Sequence, residues 1–218
     1  LMNDKFDTKV VYIMQGRYIA RIYFIILIVI SLFESRIFEF MTLNIFLAYI
    51  PFELCLLLKL FKPKKVIEWP LFIIFSLIFL LMVPNTFYMV TDLIHLNQFT
   101  FNFYLTLNLM EWIFFTYLLL GVFFALYCMT LIYLELYYFT SHQWINIILV
   151  AVVMFLSGLG IYIGRFLRFH SVFLINQPFK IIENVVSSLS GKSLIFILLM
   201  VVLQATLFIF AKGVRHTQ

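Results

Sequence analysis

Leu71-Phe72-Ile73-Ile74-Phe75-Ser76-Leu77-Ile78-Phe79-Leu80-Leu81-Met82-Val83-Pro84-Asn85-Thr86-Phe87-Tyr88-Met89-Val90 runs for twenty residues without an Asp, Glu, Lys or Arg. At a helical rise of about 1.5 Å per residue such a run spans about 30 Å, the thickness of a bilayer's hydrocarbon core. It is too long for a buried strand and too apolar for a surface helix in water, so it reads as a membrane-crossing helix. Working outward, five more apolar stretches separated by short polar punctuation give expected helices over residues 17–33, 37–60, 71–90, 104–134, 144–163 and 194–210. The fourth is longer than the bilayer, which predicts tilt or protrusion in preference to a break near Gly121. An open sheet edge cannot be satisfied in lipid. The expected fold is therefore all-α: a polytopic transmembrane bundle of about six helices, one integral membrane domain over residues 1–218.

Composition agrees with this reading. Of 218 residues, 65% are hydrophobic and 11% charged, against about 25% charged in an ordinary soluble domain. A soluble fold of this size has no interior for 28 Phe and 12 Tyr, so a water-soluble globule is excluded. The formal charge of +5 does not point to nucleic acid. Lys62, Lys64 and Lys65 sit between apolar runs, where their partner is membrane lipid headgroups. Cys55 and Cys128 lie inside apolar runs, with no C-x-x-C, so neither a disulfide framework nor a cysteine metal site is indicated. Residues 22–33 follow Arg17 and Arg21 as a signal peptide would. Glu34-Ser35-Arg36 stands where a small-residue cleavage site belongs, and the segment reads as a retained helix.

Cytoplasmic loops retain Lys and Arg. With both termini cytoplasmic, Lys5, Lys9, Arg17, Arg21, Lys62, Lys64, Lys65, Lys212 and Arg215 lie inside, and Arg36, Arg165, Arg168, Lys180 and Lys192 outside. Those outward basic residues after the fifth helix oppose the rule, and one explanation is that they line a site. Beyond them Pro178 can start a short helix with Phe179, Ile182, Val186 and Leu189 on one face. Lying in the headgroup plane and packing over the bundle top are both open to it.

Two polar blocks stand out. The first is Pro84-Asn85-Thr86-Phe87-Tyr88-Met89-Val90-Thr91-Asp92-Leu93-Ile94-His95. If helix continues past Pro84, then Asn85, Tyr88, Asp92 and His95, spaced three, four and three, form one stripe that cannot face lipid. The alternative is a capped helix end followed by wet loop residues. The second block is Gly158-Leu159-Gly160-Ile161-Tyr162-Ile163-Gly164-Arg165-Phe166-Leu167-Arg168-Phe169-His170. Gly160 and Gly164 form a small-x-x-x-small pair that lets another helix, or a membrane-protein partner, approach closely. Arg165 and Arg168 offer planar forks of donors suited to carboxylate or phosphate. Their alternatives are snorkelling to the interface or a structural ion pair with Asp92.

The third and fifth helices of such a bundle end on the same membrane face, which puts Asp92 and Arg165 on one side. Glu111, two turns into the descending fourth helix with Asn108 before it, is a further intramembrane carboxylate candidate. Glu53 is a weaker one, since pairing with Lys59 or reaching the cytoplasmic edge are both open to it. Asp92, His95 and His170 could make a facial set of metal ligands, but no H-E-x-x-H, G-x-S-x-G or phosphate-loop motif supports a cofactor, and none is expected. His142 and His216 read as membrane-edge residues.

Pro84-Asn85 through Tyr88, Thr91-Asp92-Leu93-Ile94-His95-Leu96, and Gly160-Ile161-Tyr162-Ile163-Gly164-Arg165-Phe166-Leu167-Arg168 resemble the signature blocks of an uncharacterised bacterial multi-pass membrane family, the domain-of-unknown-function family thirteen-sixty-one. The resemblance covers roughly residues 37–210. It implies a bacterial cytoplasmic membrane location and no known activity. The chain departs from the family pattern at Phe103-Tyr104-Leu105 and at His170-Ser171-Val172-Phe173, where the pattern carries carboxylates, which marks it as a divergent member.

The expectation is a polar pocket open to the extracytoplasmic face, lined by Asn85, Tyr88, Asp92, His95, Glu111, Arg165 and Arg168. The arginines would hold an anionic lipid or envelope-precursor group. Asp92 and His95 would form an acid/base pair for group transfer or hydrolysis, with His95 carrying the proton. Two alternatives stand beside it. A small transporter would use Asn44, Pro51, Glu53, Glu111 and Asn146 as a polar trail, and a non-catalytic scaffold would use the charges as interhelical pairs.

Overall fold

A computed structural model describes residues 2–33, 39–101, 107–167 and 178–216. Their helices are α1 (Met2–Phe33), α2 (Glu39–Leu60), α3 (Trp69–Tyr88), α4 (Leu109–Tyr137), α5 (Gln143–Tyr162), α6 (Pro178–Ser188) and α7 (Gly191–His216). All but α6 are long and apolar enough to cross a membrane, and no strand occurs among the described residues. Six alternating spans bring the start of α1 and the end of α7 to one end of the bundle, called here the basic end. The tips of α3 and α5 lie at the other, the Asp92 end.

α4 is the axis. In its most apolar window 67% of residues are buried, against 11% for α3, and it packs on α1, α2, α3, α5 and α7. It is apolar on every side, as a helix enclosed by others must be. It does not break at Gly121. A Cβ there would stand 2.6 Å from the Met41 methyl and 2.7 Å from that of Met89, so the glycine gives two flexible side chains room to cross a continuous helix. Rings fill the space between α1, α2 and α4, with Phe24 stacked on Tyr49 at 4.1 Å.

α5 is wedged between α3 and α7 by its glycines. A Cβ on Gly160 would meet the Pro84 ring at 2.4 Å, and one on Gly158 would meet the Ile197 carbonyl oxygen at 3.1 Å. The close approach that Gly160 and Gly164 allow is thus made within the chain, with Gly164 over the Tyr88 ring. Pro84 removes a backbone donor from α3, yet the helix carries on to Tyr88. Buried polar groups tie the bundle across its depth. The Tyr133 hydroxyl on α4 donates to Gln204 Oε1 on α7, and Gln204 Nε2 donates to the carbonyls of Met200 (2.9 Å) and Met154 (3.3 Å). Thr86 Oγ1 donates to the Ala48 carbonyl. The short helix expected from Pro178 is present as α6. It is held to α5 by Tyr162, whose hydroxyl donates to the Ser188 carbonyl (3.1 Å).

Candidate functional site

After Tyr88 the chain tightens into a ten-residue 3₁₀ segment, Met89–Gln98. Three residues per turn put Met89, Asp92, His95 and Gln98 in one line. Burial falls along that line: Met89 is fully buried and Asp92 is 1% exposed, whereas His95 is half-buried and Gln98 exposed. At about 2 Å per residue His95 stands about 6 Å further along the axis than Asp92. Across from this segment α5 ends in a π turn, Ile163–Leu167, whose wider winding carries Arg165 toward α3.

A buried carboxylate must be paired or bonded on every oxygen, and Asp92 is. Its Oδ1 accepts from Arg165 Nη2 (2.7 Å) and its Oδ2 from Asn44 Nδ2 on α2 (2.7 Å). Thr91 supplies the next tie: its Oγ1 accepts from Arg165 Nε (3.1 Å) and from Nη2, and donates to the Tyr88 carbonyl (2.6 Å). The Tyr88 ring lies 4.2 Å from the Arg165 guanidinium carbon, a cation–π contact. Three elements, α2, the 3₁₀ segment and the end of α5, are therefore fastened at one point. Arg165 is gripped along its Nε–Nη2 edge and keeps 20% of its side chain exposed. Nη1 has no hydrogen-bond partner among the described residues.

Of the residues expected from sequence, Tyr88, Asp92 and Arg165 are brought together. His95 is not bonded to Asp92; its ring packs on Phe40 at 4.4 Å and contacts Gln98. Among the described residues Asn85 contacts the Met82 sulfur, and Glu111 accepts a long bond from Thr100 (3.4 Å). Arg168 and His170 lie outside the described residues. With both oxygens of Asp92 committed to Arg165 and Asn44, its geometry is that of a group positioning an arginine. Asn44 and Thr91 were not among the expected site residues. Asn44 carried a usable signal, since a lone amide in an apolar helix needs a partner. Of the polar residues expected to trace a path, Asn44 is bonded to Asp92, Glu53 to Arg21 and Asn146 to Thr140.

The basic end holds a second charged cluster that sequence reasoning missed. Glu135 on α4 is 4% exposed and is bridged to Arg17 on α1 (2.6 Å) and Lys59 on α2 (3.1 Å). Glu53, for which Lys59 was one of two open alternatives, binds Arg21 (2.8 Å) and accepts from the Tyr49 hydroxyl. Lys59 is drawn to Glu135, the more deeply buried of the two carboxylates. No group of three His, Cys, Asp or Glu suited to a metal gathers among the described residues.

Residues 43–207 match the model of a family described as "Protein of unknown function (DUF1361)", most of the chain, and the chain belongs to that family. This is the family that the two polar blocks resemble. No curated protein and no solved structure matches the chain.

Proposed function

We propose that this member of the DUF1361 family is a bacterial cytoplasmic-membrane protein whose Asp92 end faces outward and receives the anionic headgroup of a lipid or envelope precursor. One observation carries the reading. Arg165 is held along one edge by Thr91 and Asp92 and backed by the Tyr88 ring, while Nη1, with two N–H donors, has no partner among the described residues. An arginine fixed in this way binds a phosphate without first losing its own side-chain freedom. Arg168, three residues on, is the second cation proposed for the same group. The orientation rests on the basic residues at the other end, where Arg17, Arg21, Lys59, Lys62 and Lys212 gather, as the retention of positive loops in the cytoplasm requires.

In this reading Asp92 positions Arg165, and His95, further out along the 3₁₀ segment, faces the guest's outer part. Chemistry is not needed for binding, and the geometry supports recognition better than proton transfer. The test is retention of phosphatidylglycerol or farnesyl phosphate by the purified protein, read by native mass spectrometry. Arg165→Lys keeps a cation for Asp92 and removes the fork, so the variant should fold, unfold near the wild-type temperature, and lose the bound anion. A folded Arg165→Lys protein that holds the same ligand at the same stoichiometry overturns the reading.

A further inference from the structure

At the basic end, where α4 turns into α5, a pocket of about 250 Å³ is lined by Tyr137, Tyr138, Thr140, Ser141, Gln143 and Asn146. Asn146, buried at 3% exposure, fixes the turn: its Oδ1 accepts from the backbone N–H (2.9 Å) and hydroxyl (2.7 Å) of Thr140, and its Nδ2 donates to the Thr140 carbonyl (2.9 Å). The pocket wall is thereby set before any ligand arrives.

Tyr137 is the informative residue. It is 7% exposed, and its phenol oxygen accepts from Lys212 Nζ (3.1 Å) and from Gln143 Nε2 (2.7 Å). With both lone pairs taken, its own O–H has no acceptor among the described residues. Turning the Gln143 amide over does not remove the surplus. The phenol would then donate to Oε1, and the amide nitrogen would be left with both its hydrogens. In either arrangement a donor on the pocket wall has no acceptor among the described residues, and a donor beside a cation calls for an anion. Two cations flank the wall. Lys212 lies over the Tyr137 ring at 4.4 Å, and Lys62 donates to the Phe139 carbonyl (3.0 Å) while lying over its ring. No lining residue is acidic. Glu135, the nearest acidic residue in sequence on α4, is spent on Arg17 and Lys59.

We infer that this pocket is a phosphate site, occupied by the phosphodiester of an anionic phospholipid such as phosphatidylglycerol. The phosphate oxygens accept from Tyr137 or Gln143 and draw on the charge of Lys212 and Lys62, and the small hydroxyls of Thr140 and Ser141 meet the headgroup. The site is independent of Arg165 and lies at the opposite end of the bundle.

The experiment titrates phosphatidylglycerol in detergent micelles into delipidated Arg165→Lys protein, in which the site proposed at the Asp92 end is removed, and reads the rise in unfolding temperature, with phosphatidylcholine and inorganic phosphate in parallel. Phosphatidylglycerol should raise the unfolding temperature and phosphatidylcholine should not. Lys212→Gln should weaken the apparent affinity about tenfold, the loss of one charge-assisted bond. Tyr137→Phe should weaken it less, and Lys192→Gln, at the other end, should leave it unchanged. Gln143 is exposed, so Gln143→Ala provides a variant that folds should Lys212→Gln fail. A shift produced by inorganic phosphate alone, and lost in the same variants, keeps the phosphate site and replaces the lipid by free phosphate. A phosphatidylglycerol shift that survives Lys212→Gln or Gln143→Ala together with Tyr137→Phe overturns the inference. Because Arg165→Lys touches only the Asp92 end and Lys212→Gln only the basic end, failure of either proposal leaves the other standing.

Discussion

The two ends of the bundle solve the same problem differently. Each buries a carboxylate almost completely, Asp92 at 1% and Glu135 at 4% exposure. Asp92 has one cation and one neutral amide, whereas Glu135 has two cations, both on long side chains that are themselves 28% and 43% exposed. A carboxylate with two independent cations tolerates the loss of either, and those cations can swing to headgroups or water. A carboxylate with one cation does not. The Asp92 end is therefore brittle and the basic end redundant. Brittleness suits a site in which one arginine must stay in one place, and redundancy suits a clamp that only has to hold α1 and α2 against α4.

The largest expected break follows from that contrast. Arg165→Ala strands a buried charge with only Asn44 beside it and should lower stability by about 3–5 kcal/mol, measured by reversible unfolding in mixed micelles. Next is the seam that carries the Asp92 end. Gly160→Ala drives a methyl into the rigid Pro84 ring and should destabilise by about 1–3 kcal/mol. At the basic end Gly213 has open space around its Cα, and Gly213→Ala should be neutral or stabilise by up to about 1 kcal/mol through helix propensity. Equal effects at the two glycines would show that the α3–α5 approach is looser than described.

Smaller effects sharpen the comparison. Arg17→Ala and Lys59→Ala should each cost about 1 kcal/mol, because the other cation remains on Glu135. The double variant should lose more than the sum, since only then is the carboxylate left alone. Additive losses would mean that Glu135 does not share its partners. Smallest is Arg21→Gln, which breaks an ion pair whose arginine is 44% exposed and should change stability by less than about 1 kcal/mol.

The sequence made the helices legible because lipid imposes one rule on all of them, a run of about twenty apolar residues. The expected segment 37–60 emerged as Glu39–Leu60 and 144–163 as Gln143–Tyr162. Where boundaries moved, the cause was local. The segment expected over 104–134, whose first three residues lie outside the described ones, runs on to Tyr137 because Leu134, Glu135 and Leu136 are enclosed by neighbouring helices and stay helical through a charged residue. The third helix gained a 3₁₀ continuation that no apolar count reveals.

The site was half legible. Asp92 and Arg165 were findable because each sits in a dense polar block and topology puts both blocks on one face. His95 was placed with Asp92 on correct facial grounds, and the 3₁₀ rise then carried it past bonding distance. Glu135 went unnoticed because it is a single carboxylate in Leu131-Ile132-Tyr133-Leu134-Glu135-Leu136-Tyr137, and its cations lie on two other helices far away in sequence. Local spacing cannot reveal a partner supplied by packing. Gln204 escaped for the same reason, its bonds reaching α4 and α5 from the middle of an apolar run.

The account stands on Asp92 and Arg165 acting as one unit, and a double-mutant cycle measures that unit directly. Unfolding free energies of the parent, Asp92→Asn, Arg165→Gln and the double variant should give a coupling of about 1–3 kcal/mol, with the double variant losing much less than the two single losses combined. Strictly additive losses, with both single variants near the parent, would contradict it.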